Sequence, residues 1–174
     1  MNLNKMVRAA IFSAMAIGLG FMFMLVPNLE FISVTVFLSG LTLGIPYGVM
    51  VGGTTMLIYS TMNPLGSGLV YPTLLAGQII AMALIGMIGS LSFSILRNAK
   101  SWLLIGVAGL AGFFCGLLYD VITTVTYPLS AGYSWEETLA YGISGILFTL
   151  MHLVSNSIIF ALVVPGYLRR TSTT

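Results

Sequence analysis

Apolar residues run along this chain in stretches too long for the one-sided stripe of a water-exposed helix. Short clusters of proline, glycine and asparagine interrupt them. A helix that crosses a bilayer needs about 20 mostly apolar residues, and the interruptions leave segments 6–26, 31–43, 46–62, 72–96, 102–127 and 138–164 as the expected helices. Pro27 and Asn28 close the first, and Pro46 opens the third, where its fixed φ and missing N–H suit a first turn. Asn63, Pro64, Leu65 and Gly66 close the third, Pro128 the fifth, and Pro165 and Gly166 the sixth. Lys5 and Arg8 precede the first run as they would in a signal peptide. That run exceeds the usual ~7–15 apolar residues and lacks a small-residue cleavage site, so it is read as a retained helix. The pattern predicts an all-α integral membrane protein, with six transmembrane helices in a single domain, 1–174.

Composition sharpens this picture. Hydrophobic residues make up 58% of the 174 and charged ones 6%, against roughly 25% charged in an ordinary soluble domain. So few charges cannot furnish a water-soluble skin. A net charge of +2 gives no electrostatic footing for nucleic acid. The single cysteine, Cys115, excludes an internal disulfide and a cysteine metal cluster. With the N-terminus inside, the segments expected on the cytoplasmic side hold Lys5, Arg8, Arg97, Lys100, Arg169 and Arg170, which are all 6 basic residues. Glu30, Glu136 and Glu137 fall outside. The positive-inside rule thus selects six helices with both termini cytoplasmic. The uncharged segment 40–48, with three glycines and a proline, has no anchor at the interface and is expected to be buried in the bundle, because irregular backbone at membrane depth needs protein or a wet cavity around it.

Two patterns lie on these helices. Ala10, Ala14 and Gly18 recur every fourth residue on the first, as do Ala108, Gly112 and Gly116 on the fifth. Small residues let backbones approach closely in lipid. Internal packing accounts for the fifth helix, whereas on the first a docking face for another membrane subunit is equally open. The second pattern is polar. Asp120 lies toward the outer end of the fifth helix, with Thr123, Thr124 and Tyr127 further out on the same side. Gln78 occupies the outer part of the fourth helix, and Tyr59 and Asn63 the outer end of the third. His152 and Asn156, four apart, share a face nearer the middle and inner part of the sixth. A carboxylate within the membrane should face a partner or a wet cavity. An interhelical hydrogen bond from Asp120 to a tyrosine or histidine is the plainer reading, and a ligand site the functional one. Tyr127, Tyr133, Trp135 and Tyr141 cluster around the last outer loop, where such residues also serve as interfacial anchors. Apolar walls with a few directed polar groups are what a small-molecule pocket requires.

No GxxxxGK[ST] loop is present, so the chain should not hydrolyse ATP itself. HExxH is absent and His152 is the one histidine, so neither a metal site nor a cofactor is expected. No GxSxG elbow places a nucleophile beside a base, and an intramembrane enzyme is not favoured.

The basic N-terminus, the run Arg8-Ala9-Ala10-Ile11-Phe12-Ser13-Ala14-Met15-Ala16, the short helices and the stretch 29–68 resemble the substrate-binding S components of energy-coupling factor (ECF) vitamin transporters. In that family an AxxxA pattern on the first helix docks against a transmembrane coupling subunit, and Ala10 and Ala14 match it. The resemblance implies a subunit of an ABC-type importer in a bacterial plasma membrane, with no enzymatic activity of its own. It would bind a vitamin or precursor outside and deliver it with the coupling subunit and two ATPases, toppling in the bilayer to release it. Glu30, Tyr59, Asn63, Gln78, Asp120, Thr124, Tyr127 and His152 are the candidate substrate-binding residues, and Ala10, Ala14 and Gly18 the candidate docking residues. Two other readings stay open: a non-transporting membrane scaffold of the cell-shape type, which needs no outer pocket, and a dimeric secondary carrier, which would move substrate without any ATPase.

Overall fold

Asn2 accepts a hydrogen bond from the Lys5 N–H through its side chain and starts the first helix, α1 (Leu3–Phe23). The computed structural model describes residues 2–171, so Met1 and 172–174 of the expected domain lie outside the described residues. A loop leads to α2 (Ile32–Leu43), and Gly44, at φ 94°, turns the chain into α3 (Ile45–Thr61). That φ is left-handed space, which glycine enters without a Cβ penalty. A 3₁₀ turn, Gly68–Val70, precedes α4 (Pro72–Leu91), and a short α5 (Phe93–Asn98) leads into α6 (Ser101–Ala131). Two further helices follow, α7 (Trp135–Ser144) and α8 (Ile146–Thr171).

Several expected stops differ from the observed ones. Pro128 does not end the fifth helix, because α6 carries it as an interior residue to Ala131. The stop is Gly132, at φ 77°, whose N–H bonds back to the Leu129 carbonyl while the Tyr133 N–H reaches that of Pro128. A left-handed glycine caps open carbonyls, whereas a proline at membrane depth is tolerated where neighbours re-satisfy the backbone. Pro165 likewise lies inside α8. The expected sixth helix is two. Ser134 and Glu137 form a reciprocal capping box that starts α7 before residue 138, and α7 gives way to α8 at Gly145. The fourth is also interrupted, at Ser92. Burial of 40–48 holds for Gly40, Leu41, Leu43 and Gly48 but fails for Thr42, Ile45 and Pro46, which are exposed.

Among the described residues four helices, α1, α4, α6 and α8, are long and apolar enough to cross a membrane. They hold α2 at the centre, where every residue except Thr42 is buried. The contact of α2 and α3 with α4 is backbone on backbone. A Cβ on Gly40 or Gly48 would strike the Gly86 carbonyl, one on Gly52 that of Met82, and one on Gly89 that of Phe37. On the other side Gly112 of α6 meets the Asn156 carbonyl and the Phe160 ring of α8, while Gly116 meets Asn156 and Leu153. The small residues of α6 therefore serve internal packing. Gly86→Val is expected to destabilise strongly, since overpacking costs about 1–3 kcal/mol even where side chains can yield, and here backbone must. A lowered melting temperature in detergent would register it; an unchanged one would refute the close packing.

One end of the bundle collects the basic residues. Lys5 Nζ donates to the Leu43 carbonyl at 3.3 Å, the Asn2 N–H to the Tyr47 hydroxyl at 3.1 Å, and the Thr42 and Tyr167 hydroxyls meet at 2.7 Å. Arg97 and Arg169 flank a cavity beside Thr42 and Tyr167 at this same end. The opposite end carries loops 24–31, 62–71 and 132–134.

Candidate functional site

At the loop end the polar side chains of α6, α8 and the loop between α1 and α2 converge. His152 sits in the second turn of α8, because the break at Gly145 restarts the helix there. This corrects its expected place near the middle and inner part of the bundle. Its Nδ1 lies 2.8 Å from Asp120 Oδ1 on α6, and Asn156 Nδ2, one turn further along α8, is 3.0 Å from its Nε2. One ring nitrogen thus faces Asp120, and the other faces Asn156 and Glu30. Glu30 enters from the loop between α1 and α2. Its Oε2 accepts the Ser33 N–H at 2.9 Å, and its Oε1 stands 3.9 Å from His152 Nε2, an ionic contact too long for a hydrogen bond. Burial by itself would raise the Glu30 carboxyl, but the His152 ring and the hydrogen bonds of Ser33 outweigh it and hold it below the usual carboxylate range.

Asn28, with φ 59°, turns this loop back over the site, a left-handed conformation that asparagine tolerates better than most side chains. A second cluster lies across Tyr119. Ser60 Oγ donates to Gln78 Oε1 at 2.8 Å, and Gln78 Nε2 donates to the Tyr119 hydroxyl at 3.1 Å. The Tyr119 ring in turn stands 6.4 Å from that of His152. Tyr127 is ringed by Tyr71, Tyr133 and Tyr141, with centroids 5.2, 6.4 and 5.3 Å away.

Three adjoining cavities run between these groups. One of about 340 Å³ is lined by Asn28, Glu30, Tyr59, Tyr119, Asp120 and His152, among others. Another, of about 470 Å³, shares Tyr59 and Tyr119 with it and adds Asn63, Gln78 and Tyr127. The third, of about 200 Å³, includes Asp120, Thr124, Tyr127 and Tyr141. All eight candidate binding residues thus line one or another of these adjoining spaces. Together the two larger cavities fall within the size range of small-molecule sites.

Beyond that set, Tyr119, Ser60, Asn28 and Asn156 hold the arrangement together. Tyr119 precedes Thr123 and Tyr127 at steps of four, so the stripe of polar residues on α6 contained the signal for it. Ser60 carried no comparable pattern. Among the described residues no group of three or more His, Cys, Asp or Glu is arranged to hold a metal ion.

Along α1, Ala10, Ala14 and Gly18 face outward, and nothing lies within 4 Å of a Cβ placed on Gly18. The internal face of α1 is formed instead by Ala9, Ser13, Ala16 and Gly20.

Residues 4–169 match the sequence profile of a family described as ECF transporter, substrate-specific component. No curated protein and no solved structure matches the chain.

Proposed function

Because the chain belongs to the substrate-specific components of ECF transporters, we propose that it captures a vitamin or vitamin precursor in the cavities around Glu30, Tyr119, Asp120 and His152. It is a multi-pass protein of the cell membrane and a binding subunit for transport substrate, working with other transporter components. That membership favours neither the scaffold nor the carrier. The convergence of two helices, α6 and α8, and a folded loop on one buried acid–imidazole–acid group carries the reading, because such a group is costly inside a membrane unless it serves a partner or a ligand.

The remaining architecture follows from charge. With α2 and α3 as short spans, roughly 18 and 25 Å long at 1.5 Å per residue, the bundle crosses six times. Lys5, Arg8, Arg97, Lys100, Arg169 and Arg170 then belong to the cytoplasmic side with both termini, and the cavities open outward. The exposed stripe of Ala10, Ala14 and Gly18 is the docking face for a transmembrane coupling subunit, itself driven by two ATPases of an ABC-type importer. Glu30, Tyr59, Asn63, Gln78, Asp120, Thr124, Tyr127 and His152 are the substrate-contacting set.

Native mass spectrometry of the gently solubilised protein tests capture directly. A vitamin-like molecule retained by the chain is the expected result; an empty protein that takes up nothing from a panel of water-soluble vitamins would overturn it. Tyr119→Phe removes the acceptor of the Gln78 amide. It is expected to weaken binding of the retained molecule by about 3- to 10-fold, the scale of one neutral hydrogen bond, as read by titration calorimetry.

A further inference from the structure

The cavity beside the loop between α1 and α2 holds several unsatisfied acceptors. Asn28 Oδ1, Glu30 Oε1 and Asp120 Oδ2 are buried without a hydrogen-bond partner, and all three residues line the same space of about 340 Å³. Buried acceptors in native proteins are nearly always satisfied, so an orphaned group calls for a partner. Three beside one cavity call for a partner that carries several donors.

Charge leads to the same place. Glu30 and Asp120 face His152, whose ring carries at most one positive charge. Protonating it would still leave one negative charge in excess. Among the described residues no side chain makes up the difference, because the basic residues gather at the opposite end of the bundle. An uncompensated buried carboxylate is strongly unfavourable. The walls suit a cation in a second way, since Tyr59 and Tyr119 bring aromatic rings to the cavity, and ring faces attract cations. A bare metal ion does not fit, as no metal-holding group is present among the described residues.

Granted the capture reading on which it rests, the geometry points to a ligand whose inner end is an organic cation bearing N–H donors, of the aminoheterocycle or protonated-amine class. Its N–H groups meet Asn28, Glu30 and Asp120, and its positive charge compensates the acid pair. A neutral ligand leaves the charge of the acid pair uncompensated, and an anionic one adds repulsion.

Thermal-shift titration of the purified full chain in detergent tests this with five probes. Thiamine and pyridoxamine are donor-bearing cations, riboflavin is neutral, and biotin and pantothenate are anions. Stabilisation by at least one cation is expected, with an apparent Kd raised tenfold or more in Glu30→Gln and none of the other three probes active. Glu30→Gln keeps an oxygen for the Ser33 N–H, and Asp120→Asn one for His152, so the two variants together guard against a folding defect in either. Stabilisation by riboflavin, biotin or pantothenate overturns the cationic class and leaves capture standing. No shift with either cation, or a shift that both variants leave intact, overturns the inference, while the molecule retained in native mass spectrometry decides capture separately.

Discussion

Asp120→Asn is expected to weaken substrate binding by roughly 30- to 150-fold, with helix content and expression unchanged. The asparagine retains an oxygen where Asp120 Oδ1 meets His152 Nδ1 at 2.8 Å, so the tie between α6 and α8 survives. What disappears is the charge. A hydrogen bond to a charged group contributes about 1.5–3 kcal/mol more than none, and at the upper part of that range the loss corresponds to the stated fold-change. Calorimetry with the molecule identified by native mass spectrometry gives the affinity, and circular dichroism checks the helices. Unchanged affinity would reduce Asp120 to an interhelical strut for His152.

Ala14→Trp is expected to abolish assembly with the coupling subunit and ATPases, and hence transport, while leaving substrate binding intact. Ala14 is exposed, as are Ala10 and Gly18, so an indole there meets no atom of its own bundle. A partner helix that needs close backbone approach would instead be held off by several ångströms, and in lipid no hydrophobic force compensates for lost packing. Co-purification from membranes measures assembly. Complex formation at the wild-type level would place the docking face elsewhere. Loss of substrate binding together with assembly would mean that the substitution had disturbed the bundle itself. The two variants probe different surfaces, the cavity side of α6 and the exposed side of α1, so they should separate capture from coupling.

How far the site was legible depended on the kind of signal each residue carried. Asp120, Gln78 and His152 announced themselves as polar groups in apolar runs, where nearly any such residue demands an explanation. Tyr119 was hidden by its neighbour Asp120, although its four-residue spacing from Thr123 and Tyr127 placed it on the same stripe. The depth of His152 was misjudged because one apolar run concealed a break. Gly145 divides α7 from α8, and hydropathy cannot distinguish one long helix from two that meet at an angle. The prolines misled for a related reason. Pro128 and Pro165 carry a strong local preference against helix interiors, yet α6 and α8 continue past both.

The residues of the chain by themselves determined its solvent, its helical class, the gathering of basic charge, and the family to which it belongs. Each depends on composition, spacing or local pattern, which are properties of short stretches. Only the tertiary structure decided which small residues pack and which face outward. Ala10 and Gly112 look alike along the chain, but one is exposed while the other side of the same question is answered by the Asn156 carbonyl pressed against Gly112. The folded structure likewise brought Glu30, from a loop, to within 3.9 Å of His152 across 122 positions of separation (152 less 30). Such contacts arise from how helices cross and where a loop folds back, and no periodicity within a single helix encodes them.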